Sequence, residues 1–252
     1  MRLSILSSKG GVGKSTLAIS LSKELARRRT DVLLIDRDLI GYASYLAGIR
    51  GPGLVTSVVE ELDTKPWREI KVESGSVTIL KYFGDGPRYK LDIEKLHRQR
   101  KLGERGWELY RGLLKAKRYS FVIVDNAALV RPEDDIVKHE LDTFKGIYPD
   151  MPIWQIFVSD FLDVDIKETV RYANLIGSVE LGSVLAFVIN MVYPEISTRV
   201  NHLLDQIVNA LKARMGLTIP FSEKVYQYNG DFESFPILPE VGKMATKIME
   251  MM

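Results

Sequence analysis

The chain has 252 residues, with 35 Lys or Arg against 33 Asp or Glu, so its formal net charge is only +2. This balance excludes bulk electrostatic attraction to nucleic acid or membrane, and any such affinity must come from a local patch of charge. The absence of Cys excludes a disulfide scaffold and thiolate metal sites, including iron–sulfur clusters. We find neither an apolar run of about 20 residues that could span a membrane nor a secretory signal, which predicts a cytoplasmic protein.

Short runs rich in Val, Ile and Leu alternate along the chain with longer segments of helical period. The clearest strand candidates are residues 3–6, 32–35, 121–124, 153–158 and 184–189, and residues 77–82 and 217–219 are weaker ones. Helices are predicted at residues 15–29, at 166–176 closed by Gly177, at 198–215 closed by Gly216, and from Pro239 onward. This alternation predicts an α/β fold of three layers, in which helices cover both faces of a mostly parallel twisted sheet. We find no linker or internal repeat, and expect residues 1–252 to form one domain.

The last predicted helix carries one apolar stripe, which has two interpretations. Its members are Val241, Met244, Ala245, Ile248, Met249 and Met252. The stripe could dock on a membrane or close the core. The two basic residues of the opposite face are balanced by two acidic ones, and the stripe lacks Trp and Phe, which favours the core.

The strongest motif lies between the first predicted strand and the first predicted helix, and reads Ser7-Ser8-Lys9-Gly10-Gly11-Val12-Gly13-Lys14-Ser15-Thr16. Its glycines let consecutive backbone N–H groups point into one concavity, and the helix behind adds the positive end of its dipole. This geometry binds phosphates. In such a loop Lys14 would reach the β- and γ-phosphates, and the Ser15 hydroxyl would bind Mg²⁺.

The motif departs from the general phosphate loop, because Ser8 stands where Gly is usual and Lys9 is an additional lysine. A second lysine at this place resembles the deviant Walker A motif of the ParA/MinD family of P-loop ATPases. The resemblance implies an ATP hydrolase, slow and stimulated by an activator protein, that uses ATP and Mg²⁺ and forms an ATP-dependent homodimer. By the same resemblance, Lys9 reaches across the dimer to the nucleotide of the partner.

Acidic residues follow two of the predicted strands. Asp36 and Asp38 follow the strand at residues 32–35, and Asp125 follows the strand at 121–124. In a parallel sheet ligands bind beyond the carboxyl ends of the strands, so these carboxylates are candidates for metal and water chemistry. By resemblance to the family, Asp38 orients or activates the attacking water, Asp36 lies near the water shell of the metal, and Asp125 holds Mg²⁺ through water.

The second acidic segment departs from the family pattern. Relatives continue with Thr, Ser or Cys, then Pro and often Gly, whereas this chain reads Asn126-Ala127-Ala128. Magnesium binding is compatible with this change, which bears instead on the response of the loop to loss of the γ-phosphate and hence on the hydrolysis rate.

Two downstream segments resemble those that enclose adenine in the family. Asn190 follows the predicted strand at 184–189, and Pro220 and Phe221 follow the strand at 217–219. An amide can accept a hydrogen bond from the adenine amine and donate one to N7, so Asn suits adenine. Asn190 could instead be a turn residue before Tyr193 and Pro194.

The region from residue 88 to 118 contains 11 Lys or Arg against 4 Asp or Glu, with aromatic residues between them. Such a run is either a solvated helix face or a stripe that binds phosphate backbones, and we take Arg98, Arg100, Lys101 and Arg105 as the candidates for nonspecific DNA binding. Three hypotheses follow: a ParA-like DNA-partition ATPase, associated with the nucleoid; a MinD-like positioning ATPase carried on membrane by the last helix; and a metabolic relative of the amidoligase type.

Overall fold

A computed structural model describes residues 1–177 and 182–252, and within these residues its centre is a sheet of eight strands. The strands are β1 (Arg2–Leu6), β2 (Asp31–Arg37), β3 (Trp67–Val72), β4 (Gly75–Lys81), β5 (Phe121–Asn126), β6 (Ile153–Ser159), β7 (Ser183–Val192) and β8 (Met215–Pro220). Their order across the sheet is β3-β4-β2-β5-β1-β6-β7-β8, and every neighbouring pair is parallel except β3 with β4. The predicted mostly parallel sheet is confirmed, including its two weaker strands.

Helices cover both faces of this sheet. They are α1 (Lys14–Arg27), α2 (Tyr42–Leu46), α3 (Leu54–Val59), α4 (Tyr89–Arg98), α5 (Arg100–Ala116), α6 (Asp135–Ile147), α7 (Asp163–Ile176), α8 (Ser197–Leu211), α9 (Glu223–Tyr226) and α10 (Pro239–Met249). Successive strand residues point to opposite faces. One set packs with α1, α2 and α10, and the other set packs with α3, α5, α6, α7 and α8. The three-layer α/β fold is confirmed.

The helix predicted at residues 198–215 is wrong at its carboxyl end. Helix α8 stops at Leu211 because Lys212 adopts a left-handed conformation with φ of 51°. Met215 then pairs with Ala186 in the sheet, so Gly216 is a strand residue and does not close a helix. A Cβ at Gly216 would lie 2.7 Å from the Leu204 side chain, so this glycine allows β8 to pack closely against α8.

Helix α10 closes the core. It begins at Pro239 as predicted, and Val241, Met244, Ala245 and Ile248 are buried in the cluster that includes α1. Met249 packs against the same cluster, so five of the six stripe residues already have partners inside the protein and Met252 alone of them is exposed, which contradicts the membrane interpretation of this face. Among the described residues, no helix combines the length and the apolar character that a membrane crossing requires.

Candidate functional site

The glycine-rich loop connects β1 to α1 at the carboxyl edge of the parallel strands. Gly11 and Gly13 have φ of 78° and 93°, values that glycine adopts without strain. Helix α1 begins at Lys14, and its first turn contains no acidic residue, so no carboxylate offsets the positive end of the helix dipole. This arrangement can bind an anion.

Gly13 is required for a second reason. A Cβ at this position would lie 2.1 Å from the Asn190 side-chain nitrogen. Asn190 is nearly buried, and its Nδ2 donates a hydrogen bond to the Val12 carbonyl oxygen at 2.9 Å. The residue predicted to contact adenine is therefore fixed against the glycine-rich loop.

Lys14 lies inside the loop and is 5% exposed. Its ammonium group donates to Ser7 Oγ at 2.8 Å and to the Lys9 carbonyl oxygen at 3.5 Å. Burial lowers the pKa of Lys14, and the negative charges of Asp125 and Asp38 oppose that shift. A cation so poorly solvated can gain strongly from an incoming phosphate oxygen.

Lys9 extends out of the loop and is half-exposed. Its ammonium group forms ion pairs with Asp165, in the first turn of α7, at 2.6 Å and with Asp160, in the segment that joins β6 to α7, at 3.3 Å. The hydrogen bond to Asp165, followed by the one to Asp160, raises the pKa of Lys9. In the single chain the additional lysine thus binds two carboxylates of its own protein, which the sequence analysis did not identify.

Asp36 and Asp125 are brought together by the sheet. They are directly opposite each other in the parallel pair β2 and β5, and both are completely buried. The Asp36 Oδ2 accepts hydrogen bonds from the Ser44 N–H at 2.7 Å and the Ser44 hydroxyl at 2.6 Å. The Asp36 Oδ1 and both carboxylate oxygens of Asp125 have no hydrogen-bond partner among the described residues.

The pKa values of both carboxyl groups are shifted upward. Burial raises the pKa of Asp36 to about 6, and the hydrogen bonds from Ser44 oppose the shift. Burial, followed by the charge of Asp36, raises the pKa of Asp125 well above its usual range. Two neighbouring buried carboxylates repel each other, and a bound cation would offset this repulsion.

The donor set fits a magnesium ion that is completed by substrate. Mg²⁺ prefers oxygen ligands and is usually held by one or two carboxylates together with phosphates. The Ser15 hydroxyl lies next to the Asp125 carboxylate and lowers its pKa. Among the described residues no group of three His, Cys, Asp or Glu could hold a metal by itself. Ser15, Asp36 and Asp125 would therefore hold Mg²⁺ together with a bound nucleotide, where the ion would neutralise phosphate charge.

Asp38 is at the end of β2, beyond the buried pair. It is half-buried, and its Oδ1 accepts a hydrogen bond from the Ile40 N–H at 2.9 Å. Its charge acts on Lys14, on Asp36 and on Asp125. The structure thus brings the three predicted carboxylates and Lys14 together at one edge of the sheet.

A cavity of about 320 Å³ opens beside the glycine-rich loop. This volume is within the range of small-molecule sites. The three residues predicted near the base, Asn190, Pro220 and Phe221, line it together with Thr16 of the loop motif. Three tyrosines that sequence reasoning missed also line it: Tyr42, Tyr226 and Tyr228. The Phe221 ring stacks on Tyr193 at 5.6 Å, with an angle of 29° between the planes. The cavity can therefore accept a flat ring while the attached phosphates lie in the loop.

The basic run at residues 88–118 is only partly a free cationic surface. Arg88 forms ion pairs with Asp92 and Glu60, and Lys117 pairs with Asp31 and Glu69. The predicted DNA contacts lie on α4 and α5, where Arg98, Lys101 and Arg105 are exposed, and the Arg100 side chain lies outside the described residues. Arg98 pairs with Glu94 at 3.4 Å. Lys101 and Arg105 have no ion pair within the part of the chain that the structure describes, and are one turn apart on α5.

Comparison with known proteins places this site in a family. Residues 3–234 match the CobQ/CobB/MinD/ParA nucleotide-binding domain. The chain belongs to this family. The match confirms the ParA/MinD resemblance and identifies the chain as a member of a group of P-loop nucleotide-binding proteins. No curated protein sequence matches the chain.

Solved structures share the ParA/MinD fold over the whole chain. The MinD cell division protein of Aquifex aeolicus is 22% identical, with a TM-score of 0.63, over 99% of this chain and 96% of that one. The septum site-determining protein MinD of Pyrococcus horikoshii, complexed with Mg-ADP, is 20% identical, with a TM-score of 0.62 and the same coverage. A plasmid partition protein from Borrelia burgdorferi is 15% identical, with a TM-score of 0.60, over 98% of each chain.

Proposed function

We propose that residues 1–252 form one ATPase domain of the ParA/MinD family that binds Mg-ATP and hydrolyses it slowly, as a dimer controlled by nucleotide. The observation that carries this proposal is the convergence of Lys14, Ser15, Asp36 and Asp125 at one sheet edge, beside a cavity that contains Asn190. The loop borders both the carboxylates, through Ser15, and the cavity, through Gly11 and Gly13, so the three can take the phosphates, the metal and the base of one nucleotide.

Nucleotide binding is tested by calorimetry with Mg-ATP on wild type and Lys14→Ala. Wild type should bind, and Lys14→Ala should lose on the order of tenfold or more in affinity, because the variant lacks the poorly solvated ammonium group that would contact the phosphates. Lys243→Ala, on the exposed face of α10, removes a lysine outside the site and should leave the affinity unchanged. Absence of heat with wild-type protein contradicts the proposal.

The three carboxylates have different roles in the proposed hydrolysis of ATP. In this proposal Asp38 orients or activates the attacking water, and Asp125 and Asp36 would hold the ion, which would supply neutralisation of the developing charge. Asp38→Ala should bind Mg-ATP but turn it over at least about tenfold more slowly, because general-base assistance contributes a factor of about 10²–10⁴. An Asp38→Ala protein with unchanged turnover would exclude this role.

ATP-dependent dimerisation is assigned to Lys9, which in the single chain is held by Asp165 and Asp160. Two facing subunits that each bind a polyanion attract a cation from the opposite chain, so dimer formation depends on the number of phosphates bound. Sedimentation with ADP and with a non-hydrolysable ATP analogue tests this. We expect a dimer with the analogue only, and none for Lys9→Ala, and a wild-type monomer in both states would contradict it.

We further propose that the ATP-bound dimer binds DNA without sequence preference through α4 and α5, as a ParA-type partition protein would, and that an activator protein stimulates its turnover. The support is the exposed pair Lys101 and Arg105, with Arg98 and Arg100 at the adjoining turn. Each phosphate contact contributes about −0.9 to the slope of log affinity against log salt. The Lys101→Glu/Arg105→Glu variant should thus flatten the slope by about 2 per protomer.

The chain offers a matched control for this surface. Lys243 and Lys247 are exposed on one face of α10, so Lys243→Glu/Lys247→Glu changes the net charge by the same amount elsewhere. DNA retention that falls equally in both double variants would indicate bulk charge, and would contradict a DNA-binding face on α5. Retention that is independent of ATP would contradict control by nucleotide. A membrane-carried protein of the MinD type is the less favoured alternative, because the apolar stripe of α10 is buried.

A further inference from the structure

The sheet face opposite the acidic pair carries a second pair of buried polar residues. Arg37 follows Asp36 in β2, Asn126 follows Asp125 in β5, and the two are directly opposite each other. Because successive strand residues point to opposite faces, Arg37 and Asn126 lie on the face away from α1. The Arg37 guanidinium donates to Asn126 Oδ1 from Nε at 3.0 Å and also from Nη2.

The Asn126 side chain is bound at both ends. Its Nδ2 donates to the Ile5 carbonyl oxygen at 3.0 Å and to the Val124 carbonyl oxygen at 3.3 Å, while Oδ1 accepts from Arg37. It is completely buried. The residue that stands where relatives have a hydroxyl or thiol therefore ties β5 to β2 and to β1, and no part of it is left to contact a phosphate.

A carboxylate from the helical layer completes the arrangement. Glu140 of α6 is completely buried, and its Oε2 accepts from Arg2 Nη2 at 2.5 Å and from Arg37 Nη1 at 3.3 Å. Its Oε1 accepts from the Tyr110 hydroxyl at 2.5 Å. Two arginines share this one carboxylate, so Arg37 is held from α6 as well as from β5.

Stability alone is a poor reason for such a cluster. Apolar side chains of similar volume are often as stabilising as a buried ion pair, because desolvation offsets the attraction between the charges. The position of the cluster suggests another reason. The neighbouring residues on the same strands, Asp36 and Asp125, are two buried carboxylates that repel each other, and Asp38 follows Arg37 directly.

We propose that Arg37, Asn126 and Glu140 are positioning residues that hold the ends of β2 and β5 in register and so fix Asp36, Asp38 and Asp125 for magnesium and for the attacking water. This inference rests on the proposed ATPase function. A side chain anchored on one face of a strand restricts the backbone that orients its neighbours on the other face. Partners of this kind around a metal site typically contribute a factor of about 10–100 in metal affinity or activity.

The test compares Glu140→Gln with Tyr110→Phe. Glu140→Gln removes the charge that holds Arg37, whereas Tyr110→Phe removes a hydrogen bond to the same carboxylate from the far side and leaves the strand ends untouched. We expect Glu140→Gln to lower kcat by about tenfold or more while the KM for Mg-ATP changes by less than about threefold. In Tyr110→Phe we expect kcat to stay within about twofold of wild type. Equal losses in both variants would overturn the proposal.

A second variant and a second readout keep the test decisive. Asn126→Ala leaves the Arg37–Glu140 ion pair in place, and should give the same fall in kcat if Glu140→Gln does not fold. The affinity for Mn²⁺ in the presence of ADP, measured by electron paramagnetic resonance, tests whether the carboxylates are placed to bind a metal, and it does not depend on turnover. Weakened Mn²⁺ affinity in Asn126→Ala with normal affinity in Tyr110→Phe supports positioning, and equal affinities overturn it. Wild-type protein that binds Mn²⁺ and ADP but hydrolyses no ATP would instead contradict the proposed function.

Discussion

Replacing Asp36 by Asn should change how the stability of the ligand-free protein depends on pH. The pKa of Asp36 is about 6, against a reference value of 3.8, because the carboxyl is completely buried. The difference is roughly two pH units, and each unit corresponds to about 1.4 kcal/mol, so ionising Asp36 costs the folded protein about 3 kcal/mol.

The direction in which the free energy of unfolding changes with pH follows from proton binding by Asp36. The folded protein holds this proton more tightly than the unfolded chain, so the stabilisation is complete below about pH 4 and is lost as the pH rises through about 6. Asp36→Asn has no such proton. The free energy of unfolding of the variant, measured relative to that of wild type, should therefore increase by about 2 kcal/mol between about pH 4.5 and pH 7.5. Any change in the hydrogen bonds from Ser44 contributes an offset that is largely independent of pH.

Urea unfolding at a series of pH values, with chelator present, measures this difference. Asp205→Asn is the control, because it removes an exposed carboxylate of α8 outside the site. Mg²⁺ with ADP at about pH 7.5 should stabilise wild type more than Asp36→Asn, since the ion offsets the charge that burial disfavours. A difference between Asp36→Asn and wild type that is constant with pH would refute the reasoning.

Three further substitutions test other parts of the site. Gly13→Ala should destabilise the protein by about 1–3 kcal/mol in urea unfolding, since a Cβ meets both the positive φ and the neighbouring amide, whereas Gly10→Ala, with open space around it, should be tolerated. Phe221→Ala should weaken ATP binding by about tenfold in calorimetry, because stacking on an aromatic ring contributes about 1–3 kcal/mol per base; unchanged affinity would place the base elsewhere. Asp165→Asn should let the ATP-bound dimer form at about 2- to 30-fold lower protein concentration in sedimentation, because an exposed ion pair of this kind contributes about 0.2–1 kcal/mol and the dimer contains two; an unchanged or higher concentration would contradict this.

Local signals predicted most of the elements that position the site. Alternating apolar runs and helical periods predicted the strands, because burial on both faces of a parallel sheet leaves a visible pattern. The predicted carboxyl end of α8 was wrong for a related reason. Met215 continues the apolar pattern of the helix, and only its pairing with Ala186 in β7 shows that it is a strand residue.

Interactions between distant segments were not predictable in this way. Lys9 was expected to reach a second subunit, and in the single chain it pairs with Asp165, 156 residues away. Asn126 was recognised as a departure from the family pattern, and its role became visible only with Arg37 and Glu140 beside it. Their spacing along the chain carries no sign of these contacts, because they depend on the order of the strands.

The sequence by itself determined the phosphate-binding loop and the strand ends that carry Asp36, Asp38 and Asp125, because backbone freedom at glycine and burial along a strand are local properties. Tertiary structure alone decided that Asp36 lies opposite Asp125, and that a cavity assembled from separate segments opens beside the loop. The physical reason is that strand order and helix packing juxtapose groups remote in the chain, and burial there sets their charge and their partners.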